Sequence, residues 1–129
     1  MNNDFETAIE SIIGTDDRYK PDAYLFVMES LAFTQGKIKE KRHVTGQELL
    51  SGMRELLLDK YGPLTVSVLR YWGIKSTEDF GNIVFNLVNN RVLSKTEEDT
   101  IDHFRNVFDF DKVFNQGYRE ILHKKISRM

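Results

Sequence analysis

The fold is decided by one stretch, YGPLTVSVLRYWGIKSTEDFGNIVFNLV, residues 61–88. The pair Gly62-Pro63 ends one helix and starts the next, because glycine closes helices and proline favours the first helical turn. Ser76 and Asp79 have the spacing of a capping box, in which each side chain bonds the backbone N–H of the other residue. The stretch therefore predicts two helices joined by a tight turn.

Apolar stripes predict further helices on the N-terminal side. The spacing i, i+3, i+4, i+7 and i+8, typical of one buried helix face, occurs at residues 5–13 and 80–88, and Leu49, Leu50, Met53, Leu56 and Leu57 form a further stripe. Pro21 starts an apolar helix between the first two, and Thr45 with Glu48 forms a second capping-box pattern. The predicted core includes Ile9, Ile12, Met28, Leu31, Leu50, Met53, Leu57, Leu69, Phe80, Val84 and Leu87.

Residues 92–110 allow two interpretations. β-branched and aromatic residues flank an acidic centre, and the phenylalanines lie at even spacing as in a half-buried strand, which predicts a β-hairpin. A helix is the alternative, since Thr96 and Asp99 also have capping-box spacing. We favour the hairpin, and we expect a basic C-terminal helix to follow from Asp111.

Three helices followed by a hairpin are the plan of a winged helix-turn-helix domain, which the segment from about 45 to 110 resembles. A length of 129 residues is typical of one domain. We therefore predict a mainly α single domain over residues 1–129. Its winged-helix-like core would be flanked by two N-terminal helices and one C-terminal helix.

Five motifs between residues 19 and 114 resemble one family. They are YKPDAYLFVMESL, RHVTGQELL, YGPLTVSVLRYWGI, TEDFGNIVFNLV and LSKTEEDTIDHF. These motifs are similar to those of the verrucomicrobial and planctomycete conserved hypothetical proteins. The resemblance implies a compact bacterial domain. It implies no activity, cofactor or partner, because that family carries none to transfer.

Composition restricts the classes of function. The net charge of −2 gives no general attraction to nucleic acid or membrane. The absence of cysteine excludes disulfides and thiolate metal sites. The N-terminal residues lack a signal-peptide pattern, and no apolar run approaches the roughly 20 residues of a membrane span. We expect a cytoplasmic protein that does not bind membranes.

The sequence lacks the motifs of common catalytic sites. No glycine-rich nucleotide loop and no nucleophile elbow occurs. His43, His103 and His123 lack the spacing of zinc ligands, and neighbouring carboxylates point apart instead of forming an acid–base pair. We predict no catalytic, metal-binding or cofactor-binding residues and no enzyme activity.

The helix over residues 77–90 has an uncharged face opposite its apolar stripe. Asn82, Phe85, Asn86 and Asn89 lie together there, and such a surface is typical of protein–protein contacts. We predict that these four residues contact a protein partner. The alternative is that Phe85 packs against the N-terminal helices. Insertion of this helix into DNA is disfavoured, because its acidic first turn would repel phosphates.

A basic loop precedes the helix that Thr45 caps. A helix N-terminus favours anions, so the candidates for an anion or nucleic-acid contact are Lys37, Lys39, Lys41, Arg42 and His43. The alternative is a solvated loop in which the capping box already satisfies the helix amides.

Two functions are consistent with these patterns. The first is a non-enzymatic protein–protein interaction or regulatory adaptor module with an unidentified protein partner. The second is a nucleic-acid- or ribosome-associated factor that uses residues 37–43 and the basic C-terminal helix. Nucleic acid is the less favoured partner. Binding to heparin or RNA that falls steeply with salt would distinguish the second function from the first.

Overall fold

The computed structural model describes residues 3–38, 40–94 and 101–127. Within them lie six α-helices, of which the first five pack together as a bundle; the bounds are α1 Asn3–Thr15, α2 Pro21–Lys37, α3 Gly46–Tyr61, α4 Thr65–Trp72, α5 Thr77–Asn89 and α6 Gly117–Ser127. Short 3-10 turns occupy Gly62–Leu64 and Ile101–Phe104, and a π-helical segment, Asp111–Gln116, runs directly into α6. The helix α2 packs against α1, α3, α4 and α5 and is the centre of the bundle.

The predicted capping boxes mark the starts of α3 and α5. The N–H of Glu48 donates to Oγ1 of Thr45 at 3.1 Å, and the N–H of Thr45 donates to Oε1 of Glu48 at 3.0 Å. The prediction for α3 is therefore confirmed. At the start of α5, Oδ2 of Asp79 accepts from the backbone N–H groups of Lys75 and Ser76, at 2.7 and 3.2 Å.

The tight turn between α4 and α5 is built on Gly73. Its φ of +91° lies in the left-handed region that favours glycine. A β-carbon at this position would lie 2.1 Å from the backbone oxygen of Arg18. The N–H of Lys20 also donates to the backbone oxygen of Trp72 at 3.1 Å. The loop between α1 and α2 is therefore packed against this turn.

The helices α2 and α3 approach closely at Gly52. A β-carbon there would lie 1.9 Å from Oγ1 of Thr34, so only glycine fits without a shift of one helix or of the threonine side chain. The hydroxyl groups of Ser30 and Thr34 are buried on α2 and have no hydrogen-bond partner in the part of the chain that is described.

The predicted β-hairpin over residues 92–110 is wrong, and the winged-helix-like core is wrong with it. No β-strand occurs in residues 3–38, 40–94 or 101–127. After α5, the N–H groups of Val92 and Leu93 donate to the backbone oxygen of Leu87, at 2.9 and 3.3 Å, so the chain turns back onto the helix. Asn106 has a φ of +50°, a left-handed conformation that interrupts a strand. The acidic centre of the predicted hairpin lies outside the described residues.

The even spacing of the phenylalanines has another cause. Phe104 ends a 3-10 turn, and its ring meets the ring of Phe85 edge-on, with centroids 6.4 Å apart. Phe110 contacts the rings of Phe80 and Phe114, with centroids 6.0 and 5.7 Å away. Each ring is therefore buried against helices, and no partner strand is needed. The turn into the π-helical segment is held by Asp109, whose Oδ1 accepts from the N–H of Lys112 at 3.0 Å.

Candidate functional site: an apolar groove with a basic rim

Polar side chains of α5 form hydrogen bonds with α2 and with the loop between α1 and α2. Asn86 donates from Nδ2 to Oδ2 of Asp16 at 3.0 Å and to the hydroxyl oxygen of Tyr24 at 3.1 Å. Asn82 donates to the hydroxyl oxygen of Tyr19 at 3.0 Å. Both asparagines are partly buried. They hold α5 to α2 and to the loop between α1 and α2, which is not the outward position expected from the sequence.

Charged groups stabilise this polar network. Arg18 donates from Nε and Nη2 to the carboxylate of Asp16, at 2.9 and 2.7 Å, and these bonds hold the pKa of Asp16 well below its usual range. Tyr19 donates its hydroxyl to Oδ1 of Asp79 at 2.5 Å. Burial, together with this bond to a carboxylate, raises the pKa of Tyr19. These groups satisfy one another, so we assign the network a structural role.

Phe85 and Asn89 have different surroundings. Phe85 is partly buried against Phe104, in the 3-10 turn that follows α5 in the chain. Asn89 is exposed at the last turn of α5. A partner contact through all four predicted residues stays a prediction, although Asn86 already uses both N–H groups of its side chain.

Ion pairs occupy part of the basic loop. Arg42 binds the carboxylate of Glu48 through two hydrogen bonds of 2.8 Å and that of Glu40 through one of 3.2 Å. The bonds from Arg42, followed by the bond from the N–H of Thr45, lower the pKa of Glu48 to about 2. Lys37 forms an ion pair with Glu55. The cationic groups of Arg42 and Lys37 are therefore partly neutralised.

Two other members of the loop are free of such contacts. Lys41 and His43 are exposed, and the side chain of neither forms a hydrogen bond or an ion pair within the described part of the chain; the backbone oxygen of His43 accepts from Nη1 of Arg42 at 3.2 Å. Lys39 lies outside the described residues. Among the described residues of the loop, Lys41 is therefore the lysine or arginine whose charge is available, and His43 follows it two residues later.

A groove of about 650 Å³ opens between α2, the start of α3 and the end of α5. Its volume is within the range of about 300–1,000 Å³ that is common for ligand pockets. Most of the wall is apolar, and the basic loop forms part of the rim. The lining residues are Met28, Leu31, Ala32, Gln35, Lys41, Arg42, His43, Val44, Thr45, Gly46, Leu49, Val84, Phe85, Val88, Val92, Leu93, Ser94 and Phe104. We call this site the central groove.

Some residues that the apolar spacing predicts to be in the core are only partly buried and line the central groove. Met28, Leu31 and Val84 belong to the predicted core, yet each is only partly buried. By contrast, Leu50 and Leu57, from the same prediction, are fully buried. A cluster of apolar side chains that retains exposure, rimmed by polar groups, is typical of a binding surface.

The central groove unites parts of the two predicted sites. Phe85 from the first and Lys41, Arg42 and His43 from the second line the same wall. The other predicted residues do not line it: Asn82, Asn86, Asn89 and Lys37 lie elsewhere. Two sites that seemed separate in the sequence therefore share one groove.

Some lining residues were missed from the sequence. Ala32 and Gln35 follow Met28 and Leu31 by one helical turn, so extending that stripe along α2 would have found them. Residues 92–94 carry no local signal for this position. They reach the groove only because the chain turns back to Leu87 after α5.

The basic C-terminal helix begins far from the basic loop. The loop precedes the first residue of α3, whereas the π-helical segment that leads into α6 contacts Gly62–Leu64, directly after the last residue of α3. The helix α3 has 16 residues and is about 24 Å long. The two basic regions therefore start from opposite ends of α3.

Within residues 3–38, 40–94 and 101–127, no group of three or more histidine, aspartate and glutamate side chains is placed to hold a metal ion. Among the same residues, no helix has the length and apolar character needed to cross a bilayer. No family model, curated protein or solved structure matches this chain. The resemblance of its five motifs to a conserved hypothetical family stays a prediction.

Proposed function

We propose that this chain is a non-enzymatic protein-interaction module of the cytoplasm. Its central groove would bind a partner segment that carries large apolar side chains and carboxylates. The observation that supports this proposal is the groove itself, an apolar wall with an unpaired cation, Lys41, at its rim. Interface cores are apolar, and their rims are polar.

The chemistry of the rim favours an acidic partner. Lys41 can donate to a carboxylate, and His43 can do so when protonated. An amphipathic segment that lays apolar anchors in the groove would bring neighbouring carboxylates to these two residues. A basic segment would be repelled by the same rim, so the charge of the rim selects acidic segments over basic ones.

The expected complex is transient. Burial of one large apolar side chain contributes about 1.5–3 kcal/mol, and an exposed ion pair adds about 1 kcal/mol or less. The loss of translational and rotational freedom costs at least about 4 kcal/mol. A segment with three apolar anchors therefore gains at most about 6 kcal/mol in net binding free energy, so its Kd is expected to be about 40 µM or weaker.

The nucleic-acid alternative has weaker support. Arg42 and Lys37 are engaged in ion pairs, so the loop offers few free cations to phosphates. A nucleic-acid-binding surface that combined residues 37–43 with α6 would also have to extend from one end of α3 to the other. Phosphate contacts supply most of the affinity of such proteins, and several are needed.

The test is a selection of peptides from a random display library on the full chain. Ala32→Trp is designed to fill the groove, because Ala32 is exposed on its wall. Lys41→Glu reverses the charge of the rim. Lys112→Glu makes the same charge change at an exposed residue outside the groove and is the matched control.

We expect the enriched peptides to combine at least two large apolar residues with Asp or Glu. Ala32→Trp and Lys41→Glu should each weaken the binding of a synthetic copy of such a peptide by about tenfold or more, while Lys112→Glu leaves it unchanged. Equal binding to Ala32→Trp and wild type, or no enrichment, would contradict the proposal. Salt-sensitive binding to an RNA homopolymer that Lys41→Glu abolishes would support the alternative.

A further inference from the structure

The helix α6 leaves the body of the protein, and residues 119, 120 and 122–127 are exposed. The π-helical segment before it runs into α6 without a loop, and this segment supplies the main contacts of the helix. Leu122 and Ile126 are 43% and 58% exposed. They are four residues apart, so they lie on one face of the helix. An apolar face in water is a candidate for contact with another surface.

A second, smaller groove lies between α1 and α2. It has a volume of about 290 Å³ and an apolar floor that includes Ile9, Ile13 and Leu25, while Glu6 and Glu10 stand at its edge. Leu25 is 55% exposed. We call this site the α1–α2 groove. Its lining combines apolar side chains, which suit the apolar face of a helix, with two carboxylates.

The charges of α6 and of the α1–α2 groove are complementary. The helix α1 carries three acidic residues, Asp4, Glu6 and Glu10, and no basic one. The helix α6 carries Arg119, Lys124 and Lys125 against Glu120 alone. None of these groups forms an ion pair within the described part of the chain.

We propose that α6 of one copy packs into the α1–α2 groove of a second copy, and that the exchange is reciprocal about a two-fold axis. Leu122 and Ile126 would cover Leu25 and the floor of the groove, and Arg119 and Lys125, which flank that apolar face of α6, would bring positive charge to the edge where Glu6 and Glu10 lie. A second copy fits better than the same chain, because the continuous helical connection leaves no loop on which α6 could fold back.

The small area of a single contact favours a dimer in which each copy makes the same contact with the other. One helix of 11 residues in one groove covers a small area, whereas a stable interface buries about 1,200–2,000 Å² in total. A two-fold arrangement uses the same contact twice and closes the assembly at two copies. This inference is independent of the central groove and of its proposed partner.

The test uses charge exchange. One variant of the full chain carries Glu6→Lys and Glu10→Lys, and the other carries Arg119→Glu and Lys125→Glu; all four residues are exposed. In each variant, both reciprocal contacts oppose like charges. In a mixture of the two variants, each α6 meets a groove of opposite charge in the other chain, so both contacts of the mixed dimer are attractive.

We expect sedimentation velocity to show a concentration-dependent dimer for the wild type. Each variant alone should raise the dimer Kd by about tenfold or more, and the mixture should restore dimerisation. Leu25→Asp, at the exposed edge of the groove floor, should weaken the dimer without a charge change on α6. Circular dichroism before each run establishes that the variants are folded.

Three results would overturn the proposal. The first is a wild-type monomer at every concentration tested. The second is a dimer that neither pair of charge reversals weakens, or that the mixture fails to restore. The third is a monomer that co-sediments with vesicles of equal parts phosphatidylserine and phosphatidylcholine and loses this binding with Arg119→Glu and Lys125→Glu, which would assign α6 to an anionic lipid surface.

Discussion

Gly52 lies directly against Thr34, and no space for a β-carbon exists between them. Thr34 is β-branched, and in a helix such a side chain has few alternative rotamers. The contact therefore fixes how closely α3 approaches α2. The fit between the two helices depends on the absence of a single methyl group.

We expect Gly52→Ala to lower the free energy of unfolding by about 1–3 kcal/mol, because overpacking outweighs the better helix propensity of alanine. Gly14→Ala and Gly36→Ala are the matched controls, since a β-carbon at either position meets nothing within 4 Å. They should stabilise the protein by about 0.5–1 kcal/mol. Urea denaturation measures all three, and adding Thr34→Ala to Gly52→Ala should recover most of the loss. Equal stability of Gly52→Ala and Gly36→Ala would show that the helices are further apart.

Tyr19→Phe and Tyr24→Phe should each destabilise the protein by about 1–2 kcal/mol, because each removes a hydroxyl from the polar network on α5. Tyr71→Phe is the control, since Tyr71 is 69% exposed and its hydroxyl forms no hydrogen bond with the described residues. This change should alter the free energy of unfolding by less than about 0.5 kcal/mol. Denaturation midpoints near neutral pH give the comparison. Similar midpoints for all three variants would mean that the network contributes little.

The Asp16→Asn variant should lose less stability than the wild type as the pH falls into the acid range. The pKa of Asp16 is depressed in the folded state relative to its ordinary value of 3.8. Its contribution is therefore complete above that value and is lost as the pH falls toward the folded pKa. We expect the variant to be less stable near neutral pH by on the order of 1 kcal/mol, since solvent screens this pair, and to converge with the wild type in acid.

Thermal unfolding at a series of pH values measures this effect. Asp17→Asn, a change at the exposed neighbouring residue, is the control and should follow the wild-type curve. A constant difference between Asp16→Asn and wild type down to the most acid pH would show that the carboxylate charge is not the cause.

Thr45→Ala should cost about 1 kcal/mol, the usual value for loss of an N-cap. Glu48→Gln should have a smaller effect, because glutamine can still accept from the N–H of Thr45 while the ion pair with Arg42 is weakened. Gln47→Ala is an exposed control within the same turn. A loss from Thr45→Ala that greatly exceeds this value would point to a further role for Thr45 at the rim of the central groove.

Local patterns were sufficient for most of the helices. The glycine at residue 73, the cap at Thr45 and the apolar stripe from Phe80 to Val88 each act within a few residues, and the structure has the corresponding helix boundaries. The prediction was wrong at residues 92–110, where short-range patterns allow both a strand and a turn. Even spacing of phenylalanines does not show which element each ring packs against, and here those elements are α5 and the π-helical segment.

The candidate site was predictable only in part. Polar residues usually lie on the surface, so Asn82 and Asn86 looked exposed, but their partners Tyr19 and Tyr24 precede them by 63 and 62 residues. Phe85, Lys41, Arg42 and His43 were singled out from the sequence, but nothing in the sequence indicates that they line the same groove. That relationship requires the packing of α2, α3 and α5.

The polar network also sets an order of events in folding. Asp16 and Asn86 are 70 residues apart in the chain, and Tyr19 and Asp79 are 60 apart. Closing loops of this length has an entropic cost before any contact forms. During synthesis from the N-terminus, α2 can therefore bury Tyr24 only after α5 has emerged from the ribosome. Until then, a chaperone or a neighbouring nascent chain has access to the apolar surface of α2.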